Sequence, residues 1–266
     1  MPYRATPPPK PCDAQELLPL EGSSPVSTND RGALLVAYHG SDITTRDDLV
    51  TGKLADLDHS KNPYDWLGPG VYFFEGDAER ALMFAKASHD NPAKMYTARA
   101  IGTPAVVGAI LRVQRWLDMT TQEGINEFTL AYPALLAGLA KTGSPVPKNA
   151  AASEDDIDVI LRKLDNAVFT FIHDIRDNAN SPASPGPPPP FFQAVRGAFY
   201  QGAEIAPKSG FRVGTHVQIA LRDNSCVEGW FLPRGEQLLM EAEYLDAVER
   251  REQIAMSRKP KKRAGK

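Results

Sequence analysis

Three short segments of the sequence combine β-forming residues with side chains that are able to bind a ligand or move a proton. The first segment, LLVAYH, spans residues 34–39 and brings Tyr38 and His39 directly before Gly40. An imidazole at this position can donate or accept a hydrogen bond, or take up a proton near neutral pH. A lone histidine at a strand end more often forms a hydrogen bond to another group of the protein. This segment alone therefore supplies only a candidate binding group.

The second segment, DWLGPGVYFFEGDAERALMFA, covers residues 65–85. Its Gly-Pro-Gly turn allows the backbone to approach a ligand closely, and Tyr72 on the following strand is able to stack on a flat ring. An aromatic residue in a strand is more commonly part of the core, and Trp66 beside the turn fits either a pocket wall or simple packing. This segment therefore predicts a binding surface only in combination with the others.

The third segment, FRVGTHVQIALRD, covers residues 211–223 and has the alternation of a strand. Because side chains alternate across a strand, Val217 and Ile219 share the core face, while His216 and Gln218 lie side by side on the other face. This polar pair is equally compatible with a solvent-facing strand surface and with a functional site.

Taken in this order, the three segments resemble the ADP-ribosyltransferase superfamily. The strand ending in His39-Gly40 is similar to the first family motif, and GPGVYF over residues 68–73 is similar to the second, a Gly-x-Gly-[Ile/Val]-Tyr-Phe strand followed by a helix. The patterns THVQI and CVEGWF are similar to those of uncharacterised bacterial and phage relatives that look like toxins. The resemblance covers about residues 33–85 and 191–233. It implies an α+β fold whose split β-sheet binds NAD.

The resemblance also implies roles for individual residues, with NAD as co-substrate and no metal. His39 would hydrogen-bond the adenosine ribose, the Gly40 backbone would pair with the nicotinamide carboxamide, and Tyr72 would stack on the nicotinamide ring. The same NAD-binding surface would include three neighbouring residues, Tyr38, Gly70 and Phe73.

The third family position normally holds a glutamate that binds the nicotinamide ribose and stabilises the oxocarbenium-like transition state. Here the resemblance places Gln218 at that position, and His216 where relatives carry a target-recognising residue. A glutamine amide accepts a hydrogen bond but supplies no negative charge and no base, so His216 is also a candidate base. Three carboxylates are candidates to replace the missing charge: Glu75 at the rim of the site, Glu204 in the expected target-binding loop, and Glu228.

Other charged and titratable residues give weaker indications. Three cations could meet the NAD pyrophosphate but are more typical of ordinary surface charges: Arg46, Arg80 and Lys86. Three histidines lack a partner pattern and are predicted to be structural: His59, His89 and His173.

The irregular order of helices and strands favours an α+β domain. We expect a disordered N-terminal tail over residues 1–30, one domain over 31–257 and a basic disordered tail over 258–266. Within the domain we expect a helical insertion over about 86–180 and a proline-rich loop over 181–190. The predicted strands cover residues 34–39, 70–75, 105–113, 215–223 and 226–233, and the predicted helices cover 77–90, 121–141, 153–177 and 235–257. We expect Asp77 and either Thr120 or Thr121 to cap two of these helices.

The composition is that of an ordinary soluble protein. The net charge of −3 does not indicate any particular class of binding partner. No apolar run is long enough to span a membrane. Two cysteines and the absence of a secretory signal pattern favour a reducing, cytoplasmic location without a disulfide framework. No Cys/His cluster has the spacing of a zinc site.

The resulting hypothesis is a mono-ADP-ribosyltransferase that acts on a macromolecule, as a toxin or phage-conflict effector. The basic tail favours nucleic acid slightly over protein as the acceptor, and the insertion could hold a neutralising partner protein. One alternative is an NAD glycohydrolase on the same fold. Others are a catalytically inactive module that binds NAD or a partner, and a nucleic-acid-binding protein that uses the tail.

Overall fold

A mixed β-sheet lies at the centre of the computed structural model, which describes residues 32–93, 95, 99–153, 156–179 and 191–258. The expected N-terminal tail and the proline-rich loop lie outside the described residues. The expected basic tail does so too, except for Arg258, which ends the last helix.

Seven strands form the main sheet: β1 (Ala33–Asp42), β2 (Val71–Glu75), β3 (Pro104–Val113), β4 (Trp116–Asp118), β7 (Ala194–Phe199), β8 (His216–Leu221) and β9 (Val227–Phe231). Their order in the sheet is β4-β7-β8-β2-β1-β3-β9; β4 and β7 run parallel, and the other neighbours are antiparallel. Two short strands, β5 (Asn149–Ala150) and β6 (Leu161–Arg162), pair separately. The helices are α1 (Ile43–Val50), α2 (Ala78–Asp90), α3 (Gln122–Thr142), α4 (Lys163–Ala179) and α5 (Glu241–Arg258). The predicted α+β class is therefore confirmed.

The two faces of the sheet are covered by different helices. On one face, Ala37, Phe73 and Ile219 pack in a cluster that includes Leu49 of α1. On the other face, β7 and β8 pack against α3 and α4, and Phe74 of β2 packs against α2. Apolar side chains on both faces of the sheet are therefore buried, each face against its own helices.

Several element boundaries agree with the sequence because they depend on local hydrogen bonds. Asp77 caps α2 by accepting from the Arg80 amide at 2.8 Å, and Thr121 caps α3 by accepting from the Gly124 amide at 3.2 Å. β1 does not end at Gly40, however. It continues to Asp42, whose carboxylate caps α1.

The segment 86–180 differs from the sequence prediction in two respects. It is part of the main sheet as well as helical: β3, at the strand predicted over 105–113, pairs with β1 over its whole length, and β4 joins the sheet through β7. The helix predicted from Ser153 begins instead at Lys163. There the side-chain oxygen of Asn149 accepts from the amides of Leu164 and Asp165 at 2.8 and 3.4 Å, a role that local sequence gave to Ser153. The last helix also begins later than predicted, at Glu241.

Candidate functional site

The three sequence segments proposed to form a site, residues 34–39, 65–85 and 211–223, contribute three adjacent strands in the order β8-β2-β1. Tyr38 of β1 lies opposite Phe74 of β2, and Phe74 lies opposite Gln218 of β8. These residues therefore form one row across the sheet, on the face that carries α2. The fold brings together segments that are far apart in the sequence.

The sheet divides between β1 and β2. These strands pair only through Ala37 with Glu75 and Tyr38 with Phe74. Beyond Tyr38, β1 remains paired with β3, whereas β2 towards Val71 remains paired with β8. Residues 39–42 and 71–73 are thus not joined by ladder hydrogen bonds, and this break in the pairing is the split in the sheet.

His39 lies at this split. Its Nδ1 atom is 2.7 Å from the backbone carbonyl oxygen of Tyr72. Because a carbonyl oxygen only accepts, Nδ1 carries the proton and Nε2 presents a lone pair. Burial lowers the pKa of His39, the bond to Tyr72 opposes that shift, and Arg99 adds to the lowering. The imidazole is therefore a neutral acceptor at physiological pH.

His39 and Tyr72 meet through the backbone and not ring to ring. Strand alternation places the His39 ring beside Phe73, with 5.9 Å between the ring centroids, on the opposite face from Tyr72 and Gln218. The Tyr72 hydroxyl donates to the Gly68 carbonyl at 2.8 Å and accepts from the Leu67 amide at 3.0 Å.

Tyr72 is held by packing as well as by these bonds. Its ring contributes to the cluster between β2 and α4 and stays partly exposed. Burial raises the pKa of Tyr72 well above its ordinary value, Asp65 adds to the rise, and the Leu67 amide opposes it. A role in stacking on a nicotinamide ring stays a prediction.

The glycines near the split serve the packing of the protein itself. Gly68 has a φ of +80°, and a Cβ atom added to it would lie 3.0 Å from Phe169 Cβ. A Cβ atom on Gly70 would lie 2.8 Å from the Leu221 carbonyl oxygen. Side chains at these positions would therefore collide with α4 and β8. The two glycines are thus required by internal packing, whereas the sequence pattern indicated that they let the backbone approach a ligand.

Gln218 is fixed by Trp66, a relationship that the sequence did not reveal. The Trp66 indole Nε1 donates to Gln218 Oε1 at 2.6 Å. The indole packs edge to face on Phe199 at 4.9 Å, and its six-membered ring lies over Gly197 of β7. Trp66 thus lines the site and also orients one of its polar residues.

His216 is buried, which excludes the solvent-facing interpretation of this position, since the residue is only 7% exposed. Its ring lies near Phe74 and Phe199, at centroid distances of 5.1 and 5.5 Å. Its Nδ1 donates to the Gly214 carbonyl at 2.6 Å, and its buried Nε2 has no hydrogen-bond partner among the described residues. Burial lowers the pKa of His216, the Gly214 carbonyl opposes this, and Arg80 adds to it.

The three candidate carboxylates are all engaged elsewhere. Glu75 receives a two-point contact from Arg196, with distances of 2.6 and 3.0 Å. Glu228 pairs with Arg112 at 2.5 Å. Glu204 is exposed and accepts from the Lys208 amide at 2.9 Å. Replacement of the missing catalytic charge by one of them stays a prediction.

Two of the candidate cations are not ordinary surface charges. Arg46 is 1% exposed and contacts Asp47 and Glu236, so it holds α1 to the segment before α5. Arg80 is partly buried and lies 3.3 Å from His216 Nδ1. Since that nitrogen already donates to the Gly214 carbonyl, it cannot also accept from Arg80, whose Nη2 donates to the Gln201 side chain. Lys86 is exposed.

The other three histidines are on none of the three motif strands. His59 contacts the Asn224 side chain at 3.0 Å, and His89 contacts the Ile101 carbonyl at 2.8 Å, which are ordinary structural bonds. His173 of α4 is 2% exposed, and neither ring nitrogen has a partner among the described residues.

The fold and the site define an α+β protein with a sheet split beside two polar motifs. Comparisons with protein-family models, curated proteins and solved structures gave no match. Within the described part of the chain, no group of three or more His, Cys, Asp or Glu side chains could hold a metal ion. In that same part, no helix is long and apolar enough to cross a membrane.

Proposed function

We propose that this protein cleaves NAD at the nicotinamide glycosidic bond and transfers ADP-ribose to a macromolecular acceptor. The observation that carries the proposal is the split between β1 and β2, with His39 at its edge and the strand of Gln218 next to it. The three segments resemble motifs of one family and contribute three adjacent strands. The His39 and Gln218 side chains lie on opposite faces of the sheet, so a ligand that contacts both would have to pass through the split.

In this reaction the bond from ribose C1′ to the pyridinium nitrogen breaks, and its electron pair stays on that nitrogen, so neutral nicotinamide leaves. A heteroatom of the acceptor forms the new bond to C1′ and gives its proton to a base. The free Nε2 of His39 is suited to accept a hydrogen bond from a ribose hydroxyl. Neutral His216 is the candidate base, because it lies two residues before Gln218 on the same strand face.

Nucleic acid is the favoured acceptor. The last nine residues, 258–266, carry six basic side chains and no acidic one. Such a run attracts a phosphate backbone without reading its sequence. An enzyme with this acceptor would act as a toxin or phage-conflict effector and would need a neutralising partner in the cell that makes it.

An inactive NAD-binding module is the second candidate, and a specific observation favours it. The Gln218 oxygen is occupied by Trp66, and each of the three candidate carboxylates has another contact. A site without an available negative charge stabilises a developing ribosyl cation poorly. Such a module would bind NAD without releasing nicotinamide.

The test uses purified protein, radiolabelled NAD and a bacterial lysate, with nicotinamide release measured in parallel. We expect a labelled macromolecule that is lost on nuclease treatment; loss on protease treatment would move the acceptor to protein. Free ADP-ribose without labelled macromolecule would identify a glycohydrolase. NAD binding without nicotinamide release would identify the inactive module. No binding and no release would overturn the proposal.

A further inference from the structure

We propose that Gln218 binds its ligand as a hydrogen-bond donor, and that Trp66 is the positioning residue that imposes this orientation. The proposal rests on the proposed function, which places NAD at this part of the sheet. The ligand group that faces Gln218 would then be an oxygen that only accepts, a phosphate or ribose-ring oxygen of NAD. The proposal also reverses the acceptor role that the family resemblance implies for this position.

The orientation of the Gln218 amide follows from the chemistry of its partner. An indole N–H can only donate, so the atom that lies 2.6 Å from Trp66 Nε1 must be the amide oxygen. The amide nitrogen Nε2 then points away from Trp66. Among the described residues, Nε2 has no hydrogen-bond partner, which leaves its two N–H groups for a ligand.

Trp66 cannot easily turn away from this contact. Its ring packs against Phe199 and Gly197, where an added Cβ atom would lie 2.9 Å from the indole Cη2. The next residue, Leu67, is fully buried, and its amide donates to the Tyr72 hydroxyl. A polar group held by packed neighbours in this way is preorganised for binding.

The hydrogen-bonding groups at Gln218 also favour an acceptor on the ligand. Arg80 lies near His216, which is on the same strand face, and donates to Gln201. It also lies close to Asp77 and Asp158, so it adds no unpaired charge. The two amide N–H groups suit an oxygen that only accepts, such as a phosphate or ribose-ring oxygen. They do not suit a developing cation, so Gln218 is a binding residue and does not replace the charge of a catalytic glutamate.

The first experiment compares NAD affinity in Gln218→Glu and Gln218→Met by calorimetry. A glutamate can still accept from Trp66 but presents a second acceptor oxygen to the ligand, whereas methionine presents no polar group. We expect NAD affinity to fall about tenfold or more in both variants, with glutamate at least as weak as methionine. Parent-like affinity in Gln218→Glu together with weak binding in Gln218→Met would overturn the proposal.

The second experiment tests the positioning role with Trp66→Phe, which keeps an aromatic ring but removes the donor. We expect several-fold weaker NAD binding, and a smaller effect of Gln218→Met in this background than in the parent, because the amide is no longer oriented. Fully additive effects of the two substitutions would contradict a positioning role.

The third measurement needs no NAD and separates this inference from the proposed function. The Trp66 indole proton of the ligand-free protein should exchange slowly with solvent in NMR spectra. We expect exchange about tenfold faster in Gln218→Met, where the acceptor is lost. Equal exchange in parent and variant would overturn the orientation, whatever the protein does with NAD. A protected indole proton in a protein that binds no NAD would instead overturn only the proposed function.

Discussion

The His39 imidazole and the Tyr72 backbone carbonyl are joined by a 2.7 Å hydrogen bond across the point at which β1 and β2 separate. The bond fixes the tautomer of the imidazole and connects the first sequence motif to the second. It also leaves Nε2 as the atom that a ligand can reach, because Nδ1 is already committed.

The role of that free nitrogen can be tested with His39→Asn. An asparagine amide can replace the donor to Tyr72 but offers no group at the position of Nε2. We expect a melting temperature close to that of the parent and a kcat/KM for nicotinamide release lower on the order of a hundredfold. The matched control is His89→Asn, which alters a histidine whose Nδ1 is likewise bonded to a backbone carbonyl, that of Ile101. Equal activity in His39→Asn and the parent would remove His39 from the site.

Glu75 is expected to be structural, because Arg196 holds both of its carboxylate oxygens. The substitution Glu75→Gln weakens this partly exposed contact and should lower the free energy of unfolding by about 1 kcal/mol. We expect nicotinamide release to stay at the parent rate under conditions in which the variant is folded. A large loss of kcat with unchanged stability, measured by urea denaturation, would instead make Glu75 the missing catalytic carboxylate.

Buried His173 makes the stability of the fold depend on pH. Burial, with contributions from Arg222 and Arg176, lowers the pKa of His173 from 6.5 to about 3. His173 is therefore protonated below about pH 6.5 in the unfolded chain, but only below about pH 3 in the folded protein. The free energy of unfolding should consequently fall with acidification over this window, by about 1.4 kcal/mol per pH unit for this one group.

The measurement compares urea unfolding of the parent and of His173→Leu between these pH values. Both ring nitrogens of His173 lack partners among the described residues, so leucine should be tolerated at neutral pH. The variant should lose stability less steeply on acidification, by the slope of about one proton. Identical slopes in the two proteins would show that His173 is not the group responsible.

Gly40 is expected to be required because α2 passes directly over it. A Cβ atom at this position would collide with the Ala81 carbonyl oxygen, which is part of the helix backbone. We expect Gly40→Ala to destabilise the fold by about 2 kcal/mol. The control is Gly138→Ala in α3, where an added Cβ atom meets nothing within 4 Å. That variant should be more stable than the parent by up to about 1 kcal/mol. Equal melting temperatures for the two variants would contradict the close approach of α2.

The sequence by itself determined the features that depend on neighbouring residues. Apolar and β-forming residues predicted the first two motif strands, and apolar alternation predicted the third. The caps of α2 and α3 were visible because Asp77 and Thr121 bond to amides three residues away. Their order along the chain also produced the family resemblance.

The tertiary structure decided the contacts between distant residues. The start of α4 depends on Asn149, which the pairing of β5 with β6 places opposite Arg162, so the residues near Lys163 alone do not predict it. The orientation of Gln218 depends on Trp66, 152 positions earlier in the chain. These contacts form only when separate strands and loops pack together, and for that reason the periodicity of a single segment does not encode them.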